Sequence, residues 1–359
     1  MKIYKRLSVL FLFPLFLFFL SLNCSDASQT DQLTDYLNDS DYPQDYWKTS
    51  TPSVQGMDEG FLEEMIDKIN DENYEIHSLL IIKNGYLVFE RYGITYTPDN
   101  IHELNSTTKS FVSALFGIAV KEGFVSGVED KMLNYFSDIT VDNLTTDKKN
   151  ITVKDLLCMR SGLEWNDQEI ISDYFNAENA VKYILDRPMT TAPDTAWHYN
   201  SGSSHLLSAI ITGTTGKSAA DYAEIKLFAP LGIKNYEWSS DRQHINHGGL
   251  GLSLKPRDMA KFGYLYLCKG KWNNEQIISE DWVSTSTSVH SDTYWAGNYG
   301  YHWWIKNDDC FASQGAYGQN IYVYPEKDIV IVYTAGLPVE KADETLLQLT
   351  SDYIIPAIK

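Results

Sequence analysis

The rhythm of apolar and polar positions lays out the elements of this chain. Apolar residues at Phe61, Leu62, Met65, Ile66 and Ile69 recur at helical spacing and predict a helix over residues 57–70. Two β-rich runs, 78–82 and 87–90, flank Lys83-Asn84-Gly85-Tyr86. Asn-Gly between such runs predicts a tight hairpin, because a primed turn needs positive φ at both central residues. From Ser106 to about Lys234 the pattern is mainly helical, with helices over 110–121, 153–159, 205–212 and 219–227; Gly123 stops the first. β-rich runs return at 299–305, 320–324 and 329–334, and Pro325-Glu326-Lys327-Asp328 turns between the last two. An amphipathic helix over 342–358 closes the chain. Strands near both ends with helices between them predict an α+β fold: an antiparallel sheet flanked by terminal helices, with an all-α lobe inserted. The α/β lobe takes about 56–105 and 245–359, and the helical lobe about 106–244. A site falls naturally in the crevice between them.

The first residues read differently. Lys2, Lys5 and Arg6 precede an apolar run from Leu7 to Leu22, which has the form of a signal peptide over 1–23. Cys24 follows at once, as at a bacterial lipoprotein cleavage site, and 24–55 is a polar tether or arm. Export to a bacterial cell envelope is expected, either anchored to the membrane through a lipidated Cys24 or released. The chain is 43% hydrophobic and 13% aromatic, enough for a real core rather than disorder. Its net charge of −19 repels phosphate backbones and argues against nucleic-acid binding. Cys158, Cys268 and Cys310 show no Cys-x-x-Cys spacing, so neither a zinc knuckle nor a disulfide framework is indicated, and Cys158 reads as a buried thiol. The eight histidines form no His-x-His or His-x-x-x-His pair, so no metal and no cofactor are expected.

Three stretches could carry chemistry. Ser106-Thr107-Thr108-Lys109 is the one Ser-x-x-Lys in the chain, and it opens a helix. Its i, i+3 spacing puts both side chains on one face, where a desolvated amine could activate the hydroxyl. The alternative is Ser106 as a helix N-cap beside a solvated lysine. Trp197-His198-Tyr199-Asn200-Ser201-Gly202 precedes an apolar helix. A phenol beside a cationic lysine has its pKa lowered and can shuttle protons. Ser201 could hydrogen-bond Lys109 from the same turn, or instead cap the next helix. Gln314-Gly315-Ala316-Tyr317-Gly318-Gln319 is a glycine-rich turn at a strand end. The Ala316 N–H could complete an oxyanion hole with that of Ser106, and Gly315, Tyr317 and Gly318 would line the cleft. Trp165 and His247 are further cleft candidates, with a satisfied structural role the preferred reading for His247. Tyr299, Tyr301, Trp303 and Trp304 could divide between cleft wall and core. Gly213-Thr214-Thr215-Gly216-Lys217-Ser218 fails as a phosphate loop, because Ile211 stands where its first glycine belongs. No Gly-x-Ser-x-Gly elbow occurs.

In that order, the three motifs resemble those of the serine β-lactamase and penicillin-binding-protein superfamily. Within it, the chain resembles the class C-type branch, which includes carboxylesterases and aminohexanoate-oligomer hydrolases. Leu156-Leu157-Cys158-Met159-Arg160-Ser161-Gly162-Leu163 and the stretch from Gly248-Gly249-Leu250 through Phe262 agree. The resemblance implies a β-lactamase/transpeptidase-like fold without metal. It implies that Ser106 attacks a small ester or amide, Lys109 and Tyr199 move the proton, and water hydrolyses the acyl-enzyme. Two departures bear on substrate. Ser201 stands where lactamases of this branch carry Asn, and Ala316-Tyr317-Gly318 lacks the cation that seats a β-lactam carboxylate. An esterase or amidase is therefore expected before a true β-lactamase or D-Ala-D-Ala peptidase. A catalytically retired binding lipoprotein of this fold is the alternative outside enzymology.

Overall fold

The computed structural model describes residues 42–43, 46–293, 297–307 and 309–359. The leader, Cys24 and most of the tether lie outside the described residues. Eight strands make the main sheet: β1 (Ile76–Lys83), β2 (Tyr86–Tyr92), β3 (Ser291–Asp292), β4 (Asn298–Tyr299), β5 (Trp304–Asn307), β6 (Cys310–Gly315), β7 (Gln319–Tyr324) and β8 (Ile329–Ala335). Their order is β2-β1-β8-β7-β6-β5-β4-β3, antiparallel throughout. The helices that matter for the site are α1 (Glu59–Asp71), α2 (Thr108–Lys121), α3 (Asp167–Asn176), α4 (Ser201–Thr215), α5 (Pro256–Leu267) and α6 (Val339–Leu349).

Successive strand residues point to opposite faces, so the central strands, apolar at every position, feed two cores. Leu79 and Ile81 of β1, with Ile331 and Tyr333 of β8, meet Leu62 and Met65 of α1 and Leu346 of α6. Their neighbours Leu80, Ile82, Val330 and Val332 meet Phe262 of α5 and the apolar side of α2. Gly263 lets α5 lie close to the sheet: a Cβ there would stand 2.6 Å from Val330. The expected hairpin joins β1 to β2, with Asn84 and Gly85 at φ 52° and 79°.

Three short strands make a second sheet that bears directly on the site. His102–Glu103 pairs with Leu252–Leu254, which pairs with Tyr236–Trp238. The Leu104 N–H donates to the Leu252 carbonyl at 2.8 Å, binding the chain just before Ser106 to the segment after Gly249.

Three expectations need correction. Residues 299–305 are not one strand. The chain turns between β4 and β5, His302 takes φ 62°, and the Gly300 N–H closes onto the Trp303 carbonyl at 2.8 Å. Gly300 packs so tightly that a Cβ would lie 2.2 Å from the Ser286 carbonyl. This places Tyr301 and Trp303 in one core and Tyr299 and Trp304 in the other. The helix expected over 219–227 is Ala219–Ala223 followed by a wider turn, Glu224–Phe228. The last helix likewise runs Val339–Leu349 and then widens over Thr350–Ile354.

Candidate active site

Ser106 lies in a short 3-10 turn, Asn105–Thr107, immediately ahead of α2. Neither the turn nor the helix is capped by a side chain, which removes the N-cap reading of Ser106. The Ser106 hydroxyl instead accepts a hydrogen bond from Lys109 Nζ at 2.9 Å. Lys109, one turn along, is buried. Its Nζ also donates to the Gly249 carbonyl at 2.8 Å and sits 4.7 Å from the centre of the Tyr199 ring. The Gly249 contact was not foreseen as part of the site. Its signal was the pair Gly248-Gly249: a Cβ on Gly248 would stand 2.0 Å from the Ser204 carbonyl, and one on Gly249 2.9 Å from Ser201 Cβ. Only a bare backbone can lie this flat on the first turns of α4 and turn its carbonyl to Lys109.

The glycine-rich stretch forms the β6–β7 turn and is laced to the same corner. Asn105 Nδ2 donates to the Ala316 carbonyl at 3.2 Å, and Thr107 Oγ1 donates to the Gln319 carbonyl at 2.6 Å. Gly315 presses on the chain before Ser106, where a Cβ would be 2.1 Å from the Leu104 carbonyl. These contacts hold the β6–β7 turn against the segment that carries Ser106. Tyr317, at φ 65° and half exposed, stands at the rim, and Gly318, at φ 96°, completes the turn.

Burial lowers the Lys109 ammonium to about 8, with the Asp167 carboxylate pulling the other way. Tyr199 corrects an expectation. Burial raises its phenol above the ordinary tyrosine value, and the nearby Ser106 hydroxyl offsets only part of this. Burial thus favours the protonated phenol over a phenolate. Its ring stacks 6.0 Å from that of Trp304 at 19°. His302, buried beneath Lys109, is pushed down to about 3 by burial and by Lys109, so it stays neutral. Its Nε2 lies 3.1 Å from Ser204 Oγ, and its carbonyl accepts from Ser110 Oγ at 2.7 Å.

Ser201 does something other than expected. It donates to Asp167 Oδ2 at 2.8 Å, not to Lys109, and the cap of α4 is Asn200, whose Oδ1 accepts from the Ser203 N–H at 2.9 Å. Trp165 is buried against Gly202 and donates its indole N–H to Asp167 Oδ1 at 2.5 Å. Asp167 carried no signal in the sequence, since an acidic residue opening a helix is ordinary. His247 is also relocated. Its Nδ1 meets the Tyr174 hydroxyl at 2.6 Å beside the His205–Asp241 pair, and burial pushes it down to about 4, so it belongs to a buried cluster and not the cleft. Cys158 is buried as expected, and burial pushes its thiol up.

A Ser-x-x-Lys pair at a helix start, met by a tyrosine turn from a helical lobe and a glycine turn from an antiparallel sheet, defines the β-lactamase and transpeptidase class of folds. The chain belongs to the Beta-lactamase family, whose model matches residues 64–350. A 6-aminohexanoate-dimer hydrolase of Paenarthrobacter ureafaciens is 20% identical over 289 residues, covering 73% of this chain and 72% of that protein. A teichoic acid D-alanine hydrolase of Staphylococcus aureus is 26% identical over 278 residues, covering 72% and 68%. Among solved structures, a Bacillus anthracis protein named for 6-aminohexanoate-dimer hydrolase matches with a TM-score of 0.72 at 22% identity, over 88% of each chain. At that identity the likeness speaks for the fold.

Proposed function

We propose that the protein hydrolyses small esters or amides through an acyl-enzyme on Ser106. The observation that carries this is the Ser106 hydroxyl bonded to Lys109 Nζ at 2.9 Å just ahead of a helix, with the Tyr199 ring 4.7 Å from that same Nζ. As Ser106 Oγ bonds to the carbonyl carbon, its proton passes to the neutral Lys109 amine, directly or through Tyr199. The carbonyl π electrons move to oxygen, where the Ser106 and Ala316 N–H groups receive the charge. Collapse breaks the bond to the alcohol or amine, which leaves with the proton. Water then attacks the ester, gives its proton to the same pair and restores Ser106.

Ser106→Ala should lower turnover of p-nitrophenyl esters by about a thousandfold or more; wild-type rates in that variant would overturn the assignment. The absence of Lys, Arg and His from 313–318 favours esterase or amidase activity over β-lactamase activity, so nitrocefin should be turned over slowly compared with the best ester. We further propose export and anchoring through Cys24, which intact-mass measurement of the protein purified from membranes would show as a lipid adduct.

A further inference from the structure

A carboxamide stands behind the glycine turn with its oxygen and both its N–H groups engaged. Asn320 of β7 is fully buried, and its strand neighbours Ile321 and Val323 are the apolar residues that a central strand requires. Asparagine suits such a strand poorly, and a buried amide costs stability unless its donors and acceptor are used. Here they are. Oδ1 accepts from the Gly315 N–H at 3.2 Å, and Nδ2 donates to the Tyr322 hydroxyl at 3.0 Å and to Asp343 Oδ1 of α6 at 3.1 Å. As a carboxylate, Asp343 can only accept, so it orients the amide with its oxygen toward Gly315. Strand pairing does not call for this side chain, since the backbone of Asn320 already faces Gln314 across the β6–β7 ladder.

What the amide grips is one end of the turn. The peptide joining Gly315 to Ala316 carries two groups: its carbonyl accepts from the Gly318 N–H at 3.1 Å, and its N–H is that of Ala316. A trans peptide is planar and its two groups point opposite ways, so the Ala316 N–H is turned out of the loop. Among the described residues that N–H has no acceptor. A glycine on one side makes rotation of this plane cheap, and glycine is required there, because a Cβ at 315 would meet the Leu104 carbonyl at 2.1 Å. The plane is therefore held from outside. Beyond it, Asn105 Nδ2 donates to the Ala316 carbonyl at 3.2 Å. Before it, Asn320 holds the Gly315 N–H, and α6 holds Asn320.

We propose that Asn320, anchored by Asp343, is a positioning residue for the oxyanion hole: by fixing Gly315 it fixes the direction of the Ala316 N–H. Donors set in advance stabilise a developing oxyanion because they need no reorganisation as the charge forms. The proposal rests on the serine-hydrolase reading of Ser106 and on the Ala316 N–H as an oxyanion donor.

The test compares p-nitrophenyl esters with their thiono analogues, in which sulfur replaces the carbonyl oxygen. Sulfur is larger and a weaker acceptor of N–H bonds, so a well-set oxyanion hole prefers oxygen. Wild type should favour the oxo ester in kcat/KM by about tenfold or more beyond the ratio for hydroxide alone. Asn320→Asp sets two carboxylates against each other and should cut that preference to about a fifth or less, with kcat falling and KM little changed. Adding Asp343→Asn exchanges amide and acid, restores an N–H donor between them, and should recover most of the preference. A ratio taken on one enzyme cancels damage common to both substrates, which is all that a merely structural role for Asn320 would produce. Should Asn320→Asp fail to fold, Asp343→Ala removes the outer anchor alone and should lower the preference in the same direction. A wild type without the preference, a preference unmoved in the single variants, or one not recovered in the double variant overturns the role of Asn320 alone. Absence of any Ser106-dependent turnover in wild type overturns the hydrolase reading and this proposal together.

Discussion

Lys109 is held near a pKa of about 8 because burial outweighs the attraction of Asp167. Only its neutral form can take the Ser106 proton, so kcat/KM for an uncharged ester should climb with pH through a midpoint near that value. Asp167→Asn removes the opposing charge and should move the limb to lower pH; a rate flat across this range contradicts the assignment. Stability follows the same group. The folded value lies below the ordinary 10.5, so between the two the unfolded chain binds the extra proton, and stability gains as pH rises through that window. Lys109→Met should remove this gain, which melting curves of both proteins against pH would show. Ser106, Lys109 and Tyr199 were legible because their chemistry sits in fixed spacing beside helix starts. Asp167 was not, since nothing in Asn166-Asp167-Gln168 says that Trp165 and Ser201 converge on it. His247 was a cleft candidate beside a preferred structural reading, and the structure takes the structural one, since a buried histidine and a cleft histidine are spelled alike.

At the scale of elements, the site depends on two close approaches that only glycine permits. Gly248→Ala puts a methyl onto the Ser204 carbonyl. It should destabilise the protein by roughly 1–3 kcal/mol and lower kcat, because displacing this segment withdraws the Gly249 carbonyl from Lys109. Denaturant melts and steady-state rates check both effects, and unchanged values would show that the segment yields freely. Local chemistry made the Asn84-Gly85 hairpin readable, since the turn needs only its own two residues. The break at 299–305 was not readable, because it comes from Gly300 clearing Ser286, a residue of another segment. The short strands of the second sheet, two or three residues each, are too brief to show a period.

At the largest scale, the described residues form one compact unit in which the eight-stranded sheet divides two cores. Its central strands are shared by both, so the cores should melt together. Ile331→Ala on β8 should cost about 2–5 kcal/mol and shift one cooperative transition; two separated transitions in the melt would contradict a shared sheet. The groups proposed to act come from the start of α2, the turn before α4 and the β6–β7 turn, three places brought together by the sheet and the helical lobe. The order of motifs along the chain made this meeting legible through the fold it resembles. The lacing contacts, such as Asn105 to Ala316, exist only once the lobes are packed.

The whole account turns on an accessible, activated hydroxyl at Ser106. The most direct measurement is labelling of the folded protein with a fluorophosphonate, followed by intact mass and peptide mapping. One adduct on Ser106, lost in Ser106→Ala and slowed in Lys109→Met, is the expected result. An unlabelled protein, or an adduct on another residue with ester hydrolysis intact in Ser106→Ala, would contradict it.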